Sequence, residues 1–268
     1  MMLVHKYVSE PITVEVTTKD RGRMMLDLDD EMQFPVYYNL FEAQYDKVMQ
    51  NLLKDAHITI DVGGNIGQYA MLFAANSARV YTFEPMPKMI DRLNKHIRLN
   101  HLENKVVVIP KALSNKNARL KFALPNAANS GTASTILGRH ANLDEVIEVE
   151  AVRFDDFIKS EKINESIDLI KMDIEGAELF ALEGMQNFLD SGNRPIFILE
   201  INDEMMGLAG YPESAVQDFL SGYDYQAYKI TKKGLQGPVL SLPPACENYC
   251  FLHQSSLSHR SIESIIYR

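Results

Sequence analysis

Hydrophobic and polar positions along this chain switch repeatedly between a period of two and a period near 3.6, and the switches delimit its elements. Residues 12–16 and 24–28 read as short strands, broken by turn formers at 19–22 and 29–31. Helical spacing then runs across 42–53, with Tyr45, Val48, Met49, Leu52 and Leu53 on one face. From residue 59 onward, β-branched runs alternate with helical segments. Residues 59–62, 80–83, 106–109, 167–172 and 195–200 predict the strands of a central sheet. Residues 66–76, 88–99, 176–189 and 213–221 predict helices packed on it, the second opened by Pro85 and Pro87. Shorter elements are expected at 120–123, 146–152 and 155–159, and later strands at 225–230 and 248–253. Such alternation predicts a parallel, doubly wound α/β sheet with right-handed crossovers. Residues 125–140 are polar, small and too many for a simple connection, which predicts a functional loop.

At 268 residues the chain suits one α/β domain with an extension. Its net charge of −9, with no cluster of Lys and Arg, argues against a nucleic-acid surface. There is no apolar run of 18 residues and no signal-like start, so neither a membrane span nor secretion is expected, and the expected location is cytoplasmic. The two cysteines, Cys246 and Cys250, lack the neighbouring His of a zinc site and read as small residues of a C-terminal strand.

The chemistry begins at residues 58–67. An apolar strand ends in Asp61 and turns through Gly63, Gly64, Asn65 and Gly67 into a helix. The glycines permit a tight turn and a close backbone approach to a ligand, and a helix start offers free N–H groups to an anion. The dinucleotide spacing G-x-G-x-x-G fails, because the required glycines fall on Asn65 and Gln68. Glu84, at the end of the next strand and followed by Pro85, suits the two hydroxyls of an adenosine ribose. An adenosine cofactor without a pyrophosphate fits both features. S-adenosylmethionine qualifies, since its sulfonium favours nearby carboxylates such as Asp61.

Three segments carry a family resemblance: residues 60–67 (IDVGGNIG), 83–87 (FEPMP) and 170–178 (IKMDIEGAE). Together with NSGTAS at 129–134, the pair Asp155-Asp156 and the strand FILEI at 197–201, they resemble the FkbM family of class I methyltransferases. The similarity extends over about residues 42–230, with Gly64 where the family more often carries Ala. A smaller residue there is not expected to harm binding. The resemblance implies a Rossmann-like, mostly parallel seven-stranded sheet over residues 42–268, behind a β-rich extension over 1–41. It also implies methyl transfer from S-adenosylmethionine to a hydroxyl of a sugar or small secondary metabolite.

Aligning acceptor oxygen, methyl and sulfur is most of the work in such a transfer, and an aliphatic hydroxyl also needs a base. Asp173 and Glu200 end adjacent strands at the carboxyl edge where ligands bind. Asp173 is the first candidate for base or acceptor-orienting group and Glu175 the second. Glu175 and Glu178 have a structural alternative as helix-start acids held as anions, with lowered proton affinity. Lys171 falls on the same side of its strand as Asp173, and once buried it needs Asp173 or Glu200 as partner. It reads as structural ion pair, base or acceptor clamp. No metal is expected, although Asp173, Glu200 and Asn202 are the oxygen ligands a divalent cation would use. Ala112 and Leu113, between Lys111 and Ser114, are expected along the adenine. Asn129, Ser130, Thr132 and Ser134 are expected at the cofactor or acceptor, with His140 as an alternative base. N-methylation of an amine or amide and nicotinamide-dependent oxidoreduction are the rival activities. The N-terminal strands are expected either to pair across a homodimer or to fold back on the chain's own sheet.

Overall fold

The computed structural model describes residues 12–40, 42, 45–124, 142–212, 214–243, 246–258 and 260–267. In chain order the strands are β1 (Thr13–Thr17), β2 (Arg23–Asp27), β3 (Ile58–Val62), β4 (Arg79–Phe83) and β5 (Val106–Ile109). Three more follow, β6 (Ala112–Leu113), β7 (Ala118–Leu124) and β8 (Asn142–Val152). The last six are β9 (Leu169–Met172), β10 (Ile196–Asn202), β11 (Tyr225–Thr231), β12 (Gly234–Val239), β13 (Cys246–His253) and β14 (Ile266–Tyr267).

The main sheet runs in the order β14-β12-β11-β13-β10-β9-β3-β4-β5. Its five strands from β10 to β5 are mutually parallel; β13 runs antiparallel between β10 and β11, so β11 again points the same way as β10. The chain winds outward from β3 to β5 and then returns to β9 on the other side of β3. The carboxyl ends of β3 and β9 therefore form the switch point, where flanking loops diverge and leave a crevice. Every residue of β3 is buried, as expected for a central strand covered on both faces.

Three expectations need correction. The main sheet has nine strands instead of seven, because β12 and β14 extend its far edge. The β12 segment, GLQGPV, carries two glycines and a proline and has no strand signature. It pairs because the turn after Thr231 folds it back on β11, and an edge strand tolerates proline. Residues 176–189 form two helices, Glu178–Glu183 and Gln186–Asp190, instead of one. The break lies at Gly184, where a Cβ would stand 2.1 Å from the Ser114 carbonyl oxygen. The buried Asp155 carboxylate caps the second helix, accepting from Asn187 N–H at 3.2 Å and Phe188 N–H at 2.9 Å. Finally, β1 and β2 do not join the main sheet; they pair with each other as a separate hairpin.

That hairpin forms part of a roof over the crevice. Met24, Leu26 and Val36 pack with Ile66, Met86 and Met89, and with Ala112, Phe122, Val149 and Ala151 of the small sheet β6-β8-β7. Helix Gln68–Asn76 is buried continuously from Gln68 to Ala74, since helix Asp46–Leu53 covers its outer side. Cys246 is exposed and Cys250 buried on β13, and both are free thiols. Among the described residues, no helix is long and apolar enough to cross a membrane.

His96 ties hairpin to crevice. It is fully buried, with Nδ1 2.7 Å from the Ile66 carbonyl and Nε2 2.9 Å from the Met25 N–H. Donation from Nδ1–H to Ile66 and acceptance at Nε2 from Met25 define a neutral ring. Burial lowers its pKa to about 4, because a charged imidazolium is poorly solvated there. A folded value below the unfolded one stabilises fully above about pH 6.5 and is lost as pH falls toward 4. Urea unfolding of wild type and His96→Asn is expected to show a stability gap at pH 7 that narrows by about 2–3 kcal/mol at pH 4.5. A gap of constant size would refute this role.

Candidate active site

The cleft at the switch point lies between the β3 turn, the strand ends and the roof. Its floor is the glycine turn. Gly63 lies at φ +85° and Gly67 at φ +98°, values that disfavour any side chain. A Cβ on Gly63 would stand 2.0 Å from the Asp173 carbonyl oxygen, so the turn lies directly against the end of β9. Gly64 differs, with no left-handed backbone. Its Cβ position lies 2.1 Å from Thr82 Oγ1, so the β4 side chain fills the space an alanine methyl would take.

Two acids flank the turn. Glu84 accepts the Asn65 N–H at 2.7 Å and the Met86 N–H at 2.8 Å, one on each carboxylate oxygen. Burial pushes its pKa up to about 7 against the pull of those N–H groups. Asp61 is buried, with Oδ2 3.4 Å from Thr82 Oγ1 and Oδ1 without a hydrogen-bond partner among the described residues. Burial raises its pKa to about 6, opposed chiefly by Lys171. A buried, unpartnered carboxylate oxygen beside a cradle of missing Cβ atoms suits a polar, partly cationic ligand. The residues present therefore fit the adenosyl cofactor expected there. Ala112 and Leu113 line the same cleft from β6, as do Pro85 and Asn65.

On the β9 side, the Lys171 ammonium lies 2.9 Å from Asp173 Oδ2 and 4.3 Å from the centre of the Tyr69 ring. Its side chain is 3% exposed. Burial alone would strip its proton, but Asp173, Asp61 and Glu42 outweigh burial and hold its pKa above the ordinary lysine value. Of the three readings of Lys171, the ion pair with Asp173 is the one this geometry displays. Asp173, Glu175 and Glu200 bring one carboxylate oxygen each within 4.8 Å of one another. Crowding reverses the expected lowering at the helix start. Burial and then repulsion from Asp173 raise Glu175 to about 7. Burial raises Glu178 to about 8, although it accepts the Ile174 N–H at 2.9 Å. Glu200 is raised for the same reasons as Glu175. A helix of only six residues is too weak a dipole to compensate. If a cation binds, Asp173, Glu175 and Glu200 are the ligand set. Asn202 is not, because its side-chain oxygen caps helix Asp203–Leu208 by accepting the Met205 N–H at 3.2 Å.

A model of the methyltransferase FkbM domain matches residues 61–227, from the first acid of the cleft to the middle of β11. The chain belongs to the FkbM methyltransferase family. Among its relatives, hexuronic acid methyltransferase AglP of Haloferax volcanii is 28% identical over 158 residues, covering 58% of this chain and 61% of that protein. The 2-O-methyltransferase NoeI of Sinorhizobium fredii is 27% identical over 208 residues, covering 72% of this chain and 82% of that one. The chain thus spans somewhat under two thirds of AglP. A crystal structure of an FkbM methyltransferase from Methylobacillus flagellatus is similar with TM-score 0.47 and 18% identity, over 74% of this chain and 44% of the other.

Within this FkbM domain the cleft gathers Asp61, Gly63, Gly64, Asn65, Glu84, Pro85, Ala112, Leu113, Lys171, Asp173, Glu175 and Glu200, all anticipated from sequence. Gly67 starts the helix behind the turn instead of lining the cleft. Asn129, Ser130, Thr132, Ser134 and His140 lie outside the described residues. Sequence reasoning missed Met32, Gln68, Tyr69, Met86, Met89 and Phe122 in the lining, and Glu42 behind it. Only Tyr69 carried a signal, as a polar aromatic two residues beyond the last turn glycine. The Gly64–Thr82 fit predicts that Gly64→Ala lowers stability by about 1–2 kcal/mol, and that adding Thr82→Ala recovers most of it. Additive losses in a thermal-melt double-mutant cycle would show that the two positions do not share one space.

Proposed function

We propose that this protein is an S-adenosylmethionine-dependent O-methyltransferase acting on a hydroxyl of a sugar or another small hydroxylated metabolite. The carrying observation is the placement of the Lys171-paired Asp173 at the switch point, its carbonyl against the glycine turn, in the cleft that Glu84 and Asp61 also line. FkbM membership supports methyl transfer, the name of NoeI supports transfer to oxygen, and the name of AglP supports a sugar-like acceptor.

When bound, S-adenosylmethionine supplies an electrophilic methyl group. Glu84 accepts hydrogen bonds from ribose hydroxyls with the lone pairs that Asn65 and Met86 leave free. Asp61 offers its unpartnered oxygen to the cofactor's polar end. Asp173 orients the acceptor hydroxyl and is placed to take its proton, with Lys171 holding the carboxylate in place. Glu200, whose proton affinity burial and the neighbouring carboxylates raise, is placed to donate to an acceptor oxygen. Positioning by this set supplies most of the acceleration.

A panel of hydroxylated and amine acceptors with radiolabelled S-adenosylmethionine tests the assignment. Methylated hydroxyl product is expected. Asp173→Asn is expected to lower kcat by about 100-fold or more while leaving S-adenosylhomocysteine affinity within a few-fold. Glu84→Ala is expected to weaken that affinity about 10- to 100-fold by calorimetry. Transfer only to amines, with Asp173→Asn nearly as active as wild type, would replace O- by N-methylation. No binding of either adenosyl compound would end the proposal.

A further inference from the structure

The Lys171 ammonium has two carboxylates to choose between. Asp173, two residues ahead and just past the end of β9, accepts it at 2.9 Å. Asp61 lies on the neighbouring strand, directly in register with Lys171, and its buried Oδ1 has no partner among the described residues. A lysine stem is long and flexible, and an unpartnered buried carboxylate is a strong attractor for it. Pairing with Asp61 would engage the oxygen assigned to the cofactor and release the carboxylate assigned to the acceptor. Something must favour Asp173.

The candidate is Tyr69. Its ring, buried in the first turn of helix Gln68–Asn76, lies 4.3 Å from the ammonium. The negative face of an aromatic ring attracts a desolvated cation, and its bulk limits where that cation can move. The ring itself is anchored. Its hydroxyl donates to Glu42 Oε2, and Glu42 Oε1 accepts from Asn248 Nδ2 at 3.0 Å. Asn248 sits on β13 opposite Glu200, so the anchor is tied to the sheet. Glu42 also adds a negative charge that helps retain the Lys171 proton.

We infer that Tyr69 and Glu42 are positioning residues that direct the Lys171 ammonium onto Asp173 and away from Asp61. Neither residue touches the reacting atoms; both act through the lysine. The inference rests on the reading of Asp173 as the acceptor-side group, but the pairing itself can be observed without any acceptor.

In protein labelled with ¹⁵N-lysine and ¹³C-aspartate, the scalar coupling across the lysine–carboxylate hydrogen bond reports which Asp the Lys171 ammonium engages. Wild type and Tyr69→Phe are expected to couple Lys171 Nζ to the Asp173 carboxyl carbon. Tyr69→Leu is expected to lose that coupling or transfer it to Asp61. Glu42→Ala, which keeps the ring but frees it, is expected to speed exchange of the ammonium protons about tenfold and serves if Tyr69→Leu fails to fold. With an acceptor from the panel, Tyr69→Leu is expected to lower kcat about 10- to 100-fold with acceptor KM within about threefold, and Tyr69→Phe to recover most of the rate. An Asp173 coupling that survives in Tyr69→Leu, or exchange unchanged in Glu42→Ala, overturns the inference. Intact wild-type coupling in a protein that methylates nothing would instead sink the proposed function and leave this pairing standing.

Discussion

A buried ammonium must be answered by negative charge, and much of the site follows from that requirement at Lys171. The side chain is almost wholly removed from water, at the centre of a sheet covered on both faces. Deprotonation or pairing are its two options. Pairing prevails because Asp173, Asp61 and Glu42 surround it from three different elements. The lysine in turn offsets part of the cost of burying Asp61 and Glu42. The pair also anchors Asp173 at the switch point, where its carbonyl oxygen abuts the glycine turn and its carboxylate lines the cleft.

Around that charge the cleft divides into two chemically distinct halves. The half built on β3 and β4 satisfies its acid with backbone: Glu84 is held by two N–H groups, and the turn offers close main-chain contact. The half built on β9 and β10 crowds Asp173, Glu175 and Glu200 together, and burial and mutual repulsion raise the proton affinity of Glu175 and Glu200. A backbone-lined half suits a cofactor of fixed shape. A carboxyl-lined half able to donate as well as accept suits an acceptor carrying several hydroxyls. The roof joins them, because the hairpin and the small sheet share one apolar cluster with Met86 and Met89, and His96 fastens the hairpin to the turn.

Local pattern was sufficient for the parallel core. The β-branched runs at β3, β4, β5 and β9 stand out because buried parallel strands are continuously apolar, and each is followed by turn residues that only a crossover needs. Asp61, Glu84 and Asp173 were legible for the same reason, since a strand end is a fixed place in such a fold. The edge strand β12 was not legible, for its residues have no strand preference and pair only because β11 is already present. Nor was the break at Gly184, which reflects close approach by Ser114, seventy residues earlier.

The amino-acid sequence by itself determined the alternating strands and helices of the parallel core, the glycine turn and the acids at the strand ends, because these follow from spacing along the chain. Tertiary structure alone decided which groups meet. It placed Tyr69 beneath Lys171 and Glu42 behind Tyr69, filled the Gly64 space with Thr82, committed Asn202 to a cap and reversed the expected proton affinities of Glu175 and Glu178. Each of those outcomes depends on distance and dielectric between residues far apart in sequence, and no local pattern encodes either quantity.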